Sequence, residues 1–300
     1  MDCSKGRGRR NTAMTKLNYA ATFGLAVALA VPAMWAAEVH KEARLDIAPG
    51  GSVNIFNNGG SVNLHSDAGK QVVVVYTMHS DKVEVDQTTT ADKRRAEFRT
   101  HVIADQKPSP EEARVDYDVS VPKGVGVTVS GATATIVADN MNSDLTLSTD
   151  TGQVTVRNVY RSHITVHSVA APVTLSNITN GTVDVTTSTG TVEMTSVFGP
   201  KVKAGTTSGN ITYRGDCAGG GEYSFATHSG AIDVFMPETA SVDLSAHTET
   251  GALQTDFAFK AKDHNYFTNK QGSSFSGTSN SGLSSLELRS FSGKIRVKKQ

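Results

Sequence analysis

Cysteine is nearly absent from the sequence, with Cys3 and Cys217 the only two in 300 residues. A disulfide framework of the kind that holds small secreted domains together is therefore excluded, and the fold must rest on packing. Cys217 stands in the loop-like run Asp216–Gly221, without a flanking His or Lys to lower its thiol pKa. We interpret it as an incidental residue, with a reactive thiol as the alternative.

Neither sign of charge is in excess, since 29 Lys and Arg balance 29 Asp and Glu. The first 37 residues hold five of the basic residues and one of the acidic ones, so the rest of the chain carries a net charge of −4. A mildly acidic chain without a basic block is a poor match for nucleic acid, which we exclude as a partner.

A long hydrophobic run is also missing. The N-terminal run Ala20–Val31 has 12 residues, whereas a membrane-spanning helix needs about 20. Basic residues precede this run and the small pair Ala36–Ala37 follows it, which is the pattern of a cleaved signal peptide. We predict a signal peptide at residues 1–37, translated from Met1 or Met14, and no membrane span after cleavage. A retained N-terminal anchor is the alternative.

The motifs of common catalytic sites are lacking as well. There is no Gly-x-Ser-x-Gly elbow, phosphate-binding glycine loop or Cys-x-x-Cys pair, and the one Trp, Trp35, lies in the predicted signal peptide. Asp150–Gly152 spells the aspartic protease tripeptide, but Ser188–Gly190 and Glu249–Gly251 stand at the same place in other units. We therefore predict no catalytic residue and no cofactor.

The sequence has a repeat instead. From about Val127, a Ser/Thr-rich turn, a glycine and a short alternation of apolar and polar residues recur, as in Thr151–Val156 and Ser208–Tyr213. The glycine or its equivalent stands at positions 131, 152, 171, 190, 209, 230, 251 and 293. The steps are 19 or 21 residues except the last, which is 42, and such a period indicates a solenoid. A further copy would centre on Gly272, unless the Gly/Ser-rich run to Gly282 is an inserted loop.

Most units contain a second short strand, such as Ser162–Val166, with apolar residues on one face. We predict an all-β fold: a β-solenoid, β-helix-like, of about nine units over residues 127–300. Residues 38–126 are less regular, with a charged segment, Ala91–Arg99, that fits a short helix or a polar strand. We expect them to form an N-terminal β cap over the first rung, and the basic end Lys294–Lys299 to protect the last.

Two features carry a resemblance to a known family. The strand Arg114–Gly124 ends in Val-Pro-Lys-Gly, and units of the form Ser/Thr-x-Gly-x-Val/Ile follow it. Together they resemble the bacterial adhesin-like family of unknown function built from β-strand repeats, over roughly residues 40 to 300. The resemblance implies a secreted or envelope-located, β-helix-like protein, and it transfers no catalytic residue.

Histidines and carboxylates do not converge on a site in the sequence. On a helix, His163 and His167 would share one face as metal ligands, but Ile164–Val166 alternates as a strand, along which they would lie about 13 Å apart. We interpret these two and His228 as exposed residues and predict no metal site. The outward acidic positions are scattered over several units: Asp184, Glu193, Asp233 and Asp243.

These observations favour a non-enzymatic, exported structural or interaction protein of the bacterial envelope. It would present a polar surface of Thr, Ser, Asn and Asp to an envelope protein or a glycan, and it would be periplasmic, on the outer surface or secreted. One alternative is a polysaccharide-active β-helix enzyme, which needs acids gathered on one face. Another is a periplasmic scaffold or sensor in envelope stress.

Overall fold

The computed structural model describes residues 38–217, 220–262 and 272–300. Every regular element in these ranges is a strand, and none of these residues belongs to a helix that is long and apolar enough to cross a membrane. The predicted signal peptide at residues 1–37 lies outside the described residues and stays a prediction.

Seven strands precede the regular repeat. The charged segment Ala91–Arg99 consists of a turn and the start of a strand, so of its two alternatives the structure shows the strand. In chain order the seven are β1 Val39–Leu45, β2 Ser52–Phe56, β3 Ser61–Asp67, β4 Val72–Met78, β5 Val83–Thr89, β6 Arg95–Val102 and β7 Val115–Pro122.

The repeat begins with twelve short strands in regular succession. They are β8 Gly126–Gly131, β9 Thr135–Asp139, β10 Leu145–Thr149, β11 Val154–Tyr160, β12 His163–Ser168, β13 Val173–Thr179, β14 Thr182–Thr187, β15 Val192–Phe198, β16 Lys201–Thr206, β17 Ile211–Arg214, β18 Glu222–Thr227 and β19 Ile232–Met236.

Six further strands complete the described chain. They are β20 Val242–Thr248, β21 Leu253–Thr255, β22 Lys260–Ala261, β23 Ser273–Ser279, β24 Ser284–Ser290 and β25 Ile295–Lys299.

The strands form two sheets, which we call sheet A and sheet B. The order in sheet A is β1-β4-β7-β3-β9-β11-β13-β15-β17-β19-β25-β21, and in sheet B it is β22-β23-β20-β24-β18-β16-β14-β12-β10-β8-β2-β6-β5. Neighbours are parallel from β7 to β21 in sheet A and from β6 to β20 in sheet B. One strand of each sheet makes a rung, and the rungs stack as a two-sheet solenoid. The predicted all-β, solenoid fold is confirmed.

The core lies between the two sheets. In β14, Val183 and Val185 are buried while Asp184 faces outward, and the neighbouring parallel strands repeat this alternation in register. Parallel pairing in register places buried side chains directly above one another, so each apolar position becomes a continuous row through the stack. Toward the C-terminal end the row widens to aromatic residues, with Tyr213 packed 5.4 Å from Phe225 between ring centroids.

Seven of the eight rungs of the repeat turn from sheet B into sheet A through four residues of the same kind; in the first rung, β8–β9, Gly131 stands where the others have Thr or Ser. The first is Thr or Ser, and its hydroxyl accepts a hydrogen bond of 2.8 to 3.2 Å from the backbone N–H of the fourth, which is Gly or Ala. The bond satisfies an amide inside the stack, where an unpaired donor would be costly. The turns start at Thr149, Ser168, Thr187, Thr206, Thr227, Thr248 and Ser290.

The fourth residue of each turn stacks on the fourth residue of a neighbouring turn. A Cβ added to Gly209 would collide with the carbonyl oxygen of Gly190, and one added to Gly230 with that of Gly209. The succession continues through Gly293 to Gly251, each against the carbonyl of the one before it. Glycine permits this close approach of one backbone to the next and stands at the fourth position of six of the seven turns, with Ala171 in the other, so the glycine period of the sequence reports the rungs.

The last rung of the chain is not the last rung of the stack. Strands β24 and β25 insert between β18–β19 and β20–β21, while β23 runs antiparallel along the free edge of β20. Gly272 therefore precedes an antiparallel strand and is not a repeat glycine. The described repeat strands from β8 onward make eight rungs, one fewer than the nine units predicted. The expectation that Lys294–Lys299 protects the end was wrong, because β25 is internal.

The N-terminal end is interleaved in the same way. Strands β2 and β3 insert between β6–β7 and β8–β9, and antiparallel pairs β1–β4, β4–β7 and β5–β6 extend the two sheets. The residues Val-Pro-Lys-Gly, on which the family resemblance partly rests, span the end of β7 and the turn to β8. Gly124 in this turn has a φ of +82°, a conformation that favours glycine. The boundary at residue 126 stays a prediction, since β2, β3, β6 and β7 share both sheets with the repeat.

Two neighbouring glycines provide a test of this packing. We expect Gly209→Ala to lower the free energy of unfolding by about 3 kcal/mol or more, because its methyl group overlaps the Gly190 carbonyl. Gly205→Ala is the matched control, since a Cβ there meets nothing within 4 Å and alanine should stabilise by up to about 1 kcal/mol. Urea denaturation followed by circular dichroism measures both, and equal midpoints for the two variants would contradict the account.

Candidate functional site

The turns between sheet B and sheet A combine a constant frame with one changing side chain. The second residue of each four-residue turn is exposed, and its identity differs from rung to rung. Neighbouring rungs are about 4.8 Å apart, so these side chains form a continuous edge of the stack. We call it the turn edge; in stack order it presents Asp150, Val169, Ser188, Thr207, His228, Phe291 and Glu249.

A shallow depression lies beside the C-terminal half of the turn edge, on the outer face of sheet B. Its volume is about 350 Å³. Gly205 of β16 and Ala226 of β18 pair in register and form its floor, while the longer side chains of Arg289 and His247 continue the same row on β24 and β20. We call it the Gly205 depression. It exists because two small residues interrupt a row of larger ones.

An aromatic pair borders the Gly205 depression. The rings of His228 and Phe291 are stacked, with centroids 4.7 Å apart and an interplanar angle of 10°. Phe291 is 49% exposed, although it is one of the most apolar residues at the turn edge. An exposed aromatic ring next to polar side chains is typical of a contact surface and adds little to the core.

The polar side chains at the Gly205 depression are paired with each other. His247 Nε2 lies 2.8 Å from Glu249 Oε1, and Arg289 forms an ion pair with Glu287. Of the residues that line the depression, Arg289 carries a positive charge and Glu249 a negative one. The depression therefore offers hydrogen-bond donors and acceptors side by side without the excess of positive charge that would attract an anion.

A second depression of about 470 Å³ lies near the N-terminal end of the same face. It contains Phe56, but the guanidinium of Arg99 covers that ring at 4.0 Å from the centroid. Asp150, from the protease-like tripeptide, is an exposed turn residue at its rim. Because its aromatic ring is already occupied, we regard the Gly205 depression as the better candidate site.

The predicted histidine and acidic positions are placed as follows. His163 and His167 are exposed on β12, and His163 Nδ1 lies 3.4 Å from Asp144 Oδ1. Within the described ranges no group of three or more His, Cys, Asp or Glu could hold a metal ion. His228 is the one predicted candidate that reaches the Gly205 depression. The acidic positions are divided between the sheets, with Asp184 and Asp243 on sheet B and Glu193 and Asp233 on sheet A.

The structure also brings together a Ser, a His and an Asp that the sequence did not connect. Ser120 Oγ lies 2.7 Å from His65 Nε2, and His65 Nδ1 lies 3.5 Å from Asp118 Oδ1. Nucleophilic catalysis further needs free N–H donors for the oxyanion. Ser120 lies within β7, which is hydrogen-bonded to β3 on one side and β4 on the other, so its backbone amides serve the sheet. The arrangement does not form a catalytic site.

A charged network closes the N-terminal end of sheet A around Asp116. Ser61 donates to Oδ1 from its amide and its hydroxyl, both at 2.7 Å, while His79 and Arg114 each lie 2.8 Å from Oδ2. Burial by itself would raise the pKa of Asp116, but the hydrogen bonds from Arg114, Ser61 and His79 outweigh it and lower the pKa to about 2.

This network predicts part of the acid sensitivity of the fold. An unfolded Asp has a pKa of about 3.9, so the ionised Asp116 stabilises the fold above that pH, and its contribution is lost as the pH falls toward 2. We expect Asp116→Asn to be less stable than the wild type at pH 7 and to lose less stability on acidification. Urea midpoints between pH 7 and pH 2.5 measure this. Asp118→Asn, exposed on the same strand, is the control, and parallel pH profiles for Asp116→Asn and the wild type would disprove the assignment.

Cys217 follows β17 outside any strand, but its thiol is buried, at 2% exposure, and not on a surface loop. Its Sγ lies 3.6 Å from Met236 Sδ. Burial raises the pKa of the thiol well above its usual value, and the nearby Asp216 raises it further. A thiol without access to solvent and with so little thiolate is a core residue and not a nucleophile.

A thiol reagent tests this placement. We expect Cys217 in the native protein to react with Ellman's reagent at pH 8 at least about a hundredfold more slowly than in denaturant, because reaction requires local unfolding. Reaction in guanidinium chloride should release one equivalent of chromophore from the processed chain. Equal rates in the two conditions would show that the thiol is exposed.

Comparison with known proteins gives one family and several distant structures. The family model described as Toastrack DUF4097 matches residues 60–298. Similar solved structures include an adhesin candidate from Bacteroides fragilis (10% identity, 87% of this chain and 97% of that one, TM-score 0.48). A second is an adhesin candidate from Parabacteroides distasonis (9%, 87% and 97%, 0.45). A third is a cell adhesion protein candidate from Clostridium sporogenes (12%, 87% and 100%, 0.33). None of the curated proteins matches this chain.

Proposed function

Because the chain belongs to the Toastrack DUF4097 family, we propose that it is an exported, non-enzymatic interaction protein of the bacterial envelope. The resemblance to an adhesin-like family of β-strand repeats is thereby confirmed. Membership of this family accounts for the β-solenoid architecture, and it brings no assigned activity with it. Export, location and the act of binding are the proposed part.

One observation carries the proposal: the separation of a rigid frame from a variable edge. The frame, from Thr or Ser to Gly or Ala, is fixed by hydrogen bonds within each turn and by close backbone contacts between rungs. At the second position of most turns the backbone N–H is bonded to the neighbouring rung, as His228 N–H is to the Thr207 carbonyl, but the exposed side chain is no part of that frame and differs in every rung. Repeat proteins bind partners through side chains of this kind, held at fixed spacing on a stiff scaffold.

The polysaccharide-active alternative has less support. Glycosidases use two carboxyl groups about 5 to 10 Å apart. Glu287 and Glu249 flank the Gly205 depression, but Glu249 aligns with Phe291, four residues beyond Glu287, which is about 13 Å along a strand. Each of the two is already paired, with Arg289 and His247 respectively. The arrangement therefore favours binding over hydrolysis.

The predicted signal peptide supports export, and the periplasm, the outer surface and the medium all remain compatible with it. A surface-displayed adhesin and a periplasmic scaffold or sensor differ in exposure to the medium. Both are compatible with a β-solenoid that carries no membrane-spanning helix in its described residues.

Protease treatment of cells separates these locations. We expect an added protease to digest the protein on intact cells, as well as on cells with a permeabilised outer membrane, if it is displayed as an adhesin. A known periplasmic protein serves as the control for outer-membrane integrity. Protection until permeabilisation would refute surface display and leave the periplasmic scaffold or sensor. Retention of the protein in the cytoplasm would contradict export altogether.

A further inference from the structure

Gly205 is a glycine that the fold does not require. Its φ is not among the positive values, and a Cβ at this position would meet nothing within 4 Å. Glycine within a strand costs about 0.5 to 1 kcal/mol relative to alanine, because it loses more backbone entropy on folding. This sets it apart from Gly209, four residues later, which packing demands. We therefore interpret the open space beside Gly205 as room for a ligand.

The depression has a floor of small residues and an apolar wall. Phe291 stands at the turn edge, with one face stacked on His228, and its ring is not needed to close the core. Gly205 and Ala226 leave a flat patch of backbone and methyl group beside it. A floor and wall of this type suit the carbon-bonded hydrogens of a sugar ring, which pack against aromatic and aliphatic groups.

The polar groups suit hydroxyl groups. Arg289 supplies donors, Glu249 supplies acceptors, and His247 supplies one of each when neutral. A sugar hydroxyl donates and accepts at once, so it can use the second carboxylate oxygen of Glu249 and further N–H groups of Arg289 while the existing pairs stay in place. Arg289 and Glu249 balance each other in the lining, so the depression has no excess of positive charge to attract phosphate, nucleic acid or acidic polymers.

A peptide is a poorer match for the same surface. Peptides that bind to sheets usually add a strand at a free edge, where main-chain hydrogen bonds provide the affinity. Strands β16, β18 and β24 are each paired on both sides, so no free edge borders the depression. A ligand at this site must bind to the face of the sheet through side chains.

We propose that the Gly205 depression is a binding site for one residue of a neutral oligosaccharide. The sugar ring lies over Gly205 and Ala226 against Phe291, and Arg289, His247 and Glu249 bind its hydroxyl groups. This inference rests on the proposed interaction function and gives it a ligand class. The open side of the depression continues along the turn edge, which lets a longer glycan extend over neighbouring rungs.

The test is a glycan array with the purified protein, expressed from the full sequence so that processing occurs in the cell. The array carries neutral and acidic oligosaccharides, and each hit is titrated with three variants. Gly205→Gln fills the depression without entering the core, because its side chain projects into free space. Phe291→Ala removes the wall. Ser148→Gln, on the outer face of β10 in the row that contains Gly205, is the matched control.

We expect neutral glycans to bind the wild type and the Ser148→Gln variant equally. Gly205→Gln should abolish binding, and Phe291→Ala should weaken it by about tenfold. Unchanged urea midpoints would show that the variants are folded. Binding of acidic glycans alone, no binding to the array, or binding that both site variants retain would each overturn the inference. These results are independent of the protease experiment, which tests location, so either proposal can fail without the other.

Discussion

The approach of one glycine to the carbonyl of the next rung is the contact on which the structure depends. It sets how closely the turns of neighbouring rungs stack in the repeat, where the parallel strands pair in register. The Thr or Ser hydroxyl three residues earlier holds the turn in the shape that this approach needs. Because both groups are packed against the neighbouring rung, seven of the eight rungs have the same turn, with Ser in place of Thr and Ala171 in place of Gly as the exceptions. The chain can build a long core without disulfides because each added rung buries the face of the previous one.

The same constraint explains where variation is allowed. A side chain that points into the stack must fit a row of like neighbours, whereas side chains at the second position of each turn and on the outer face of the sheets are exposed to solvent and contact one another only at the surface. Differences such as His228, Phe291 and Glu249 accumulate there without a cost in stability. The exposed side chains can therefore change while the scaffold stays constant. An arrangement of this kind suits binding.

The two ends of the stack differ from its middle because their outermost strands have a free edge. A parallel solenoid with open ends would pair with other chains through its free strands. Here the outermost strands at the N-terminal end, β1 and β5, carry charged residues along exposed edges, and Asp116 ties the neighbouring strands together. At the other end, β23 runs antiparallel along β20. Because β23 occupies that edge, the final strands β24 and β25 fit between two earlier rungs, where neighbours on both sides hold them.

The sequence determined the class of fold through local signals that every rung repeats. The glycine period, the two-residue alternation and the turn residues predicted stacked strands, and the resemblance to a family added to that prediction. The sequence could not reveal the order of the rungs, because Gly251 and Gly293 have the same local pattern and differ only in their packing partners. For this reason the sequence left open whether Gly272 opens a further unit or lies in an inserted loop, and it favoured β25 as the end of the stack. The candidate site was hidden for the same reason: Gly205, Ala226, His247, Arg289 and Phe291 come from four separate rungs, and their meeting point was decided by tertiary packing alone.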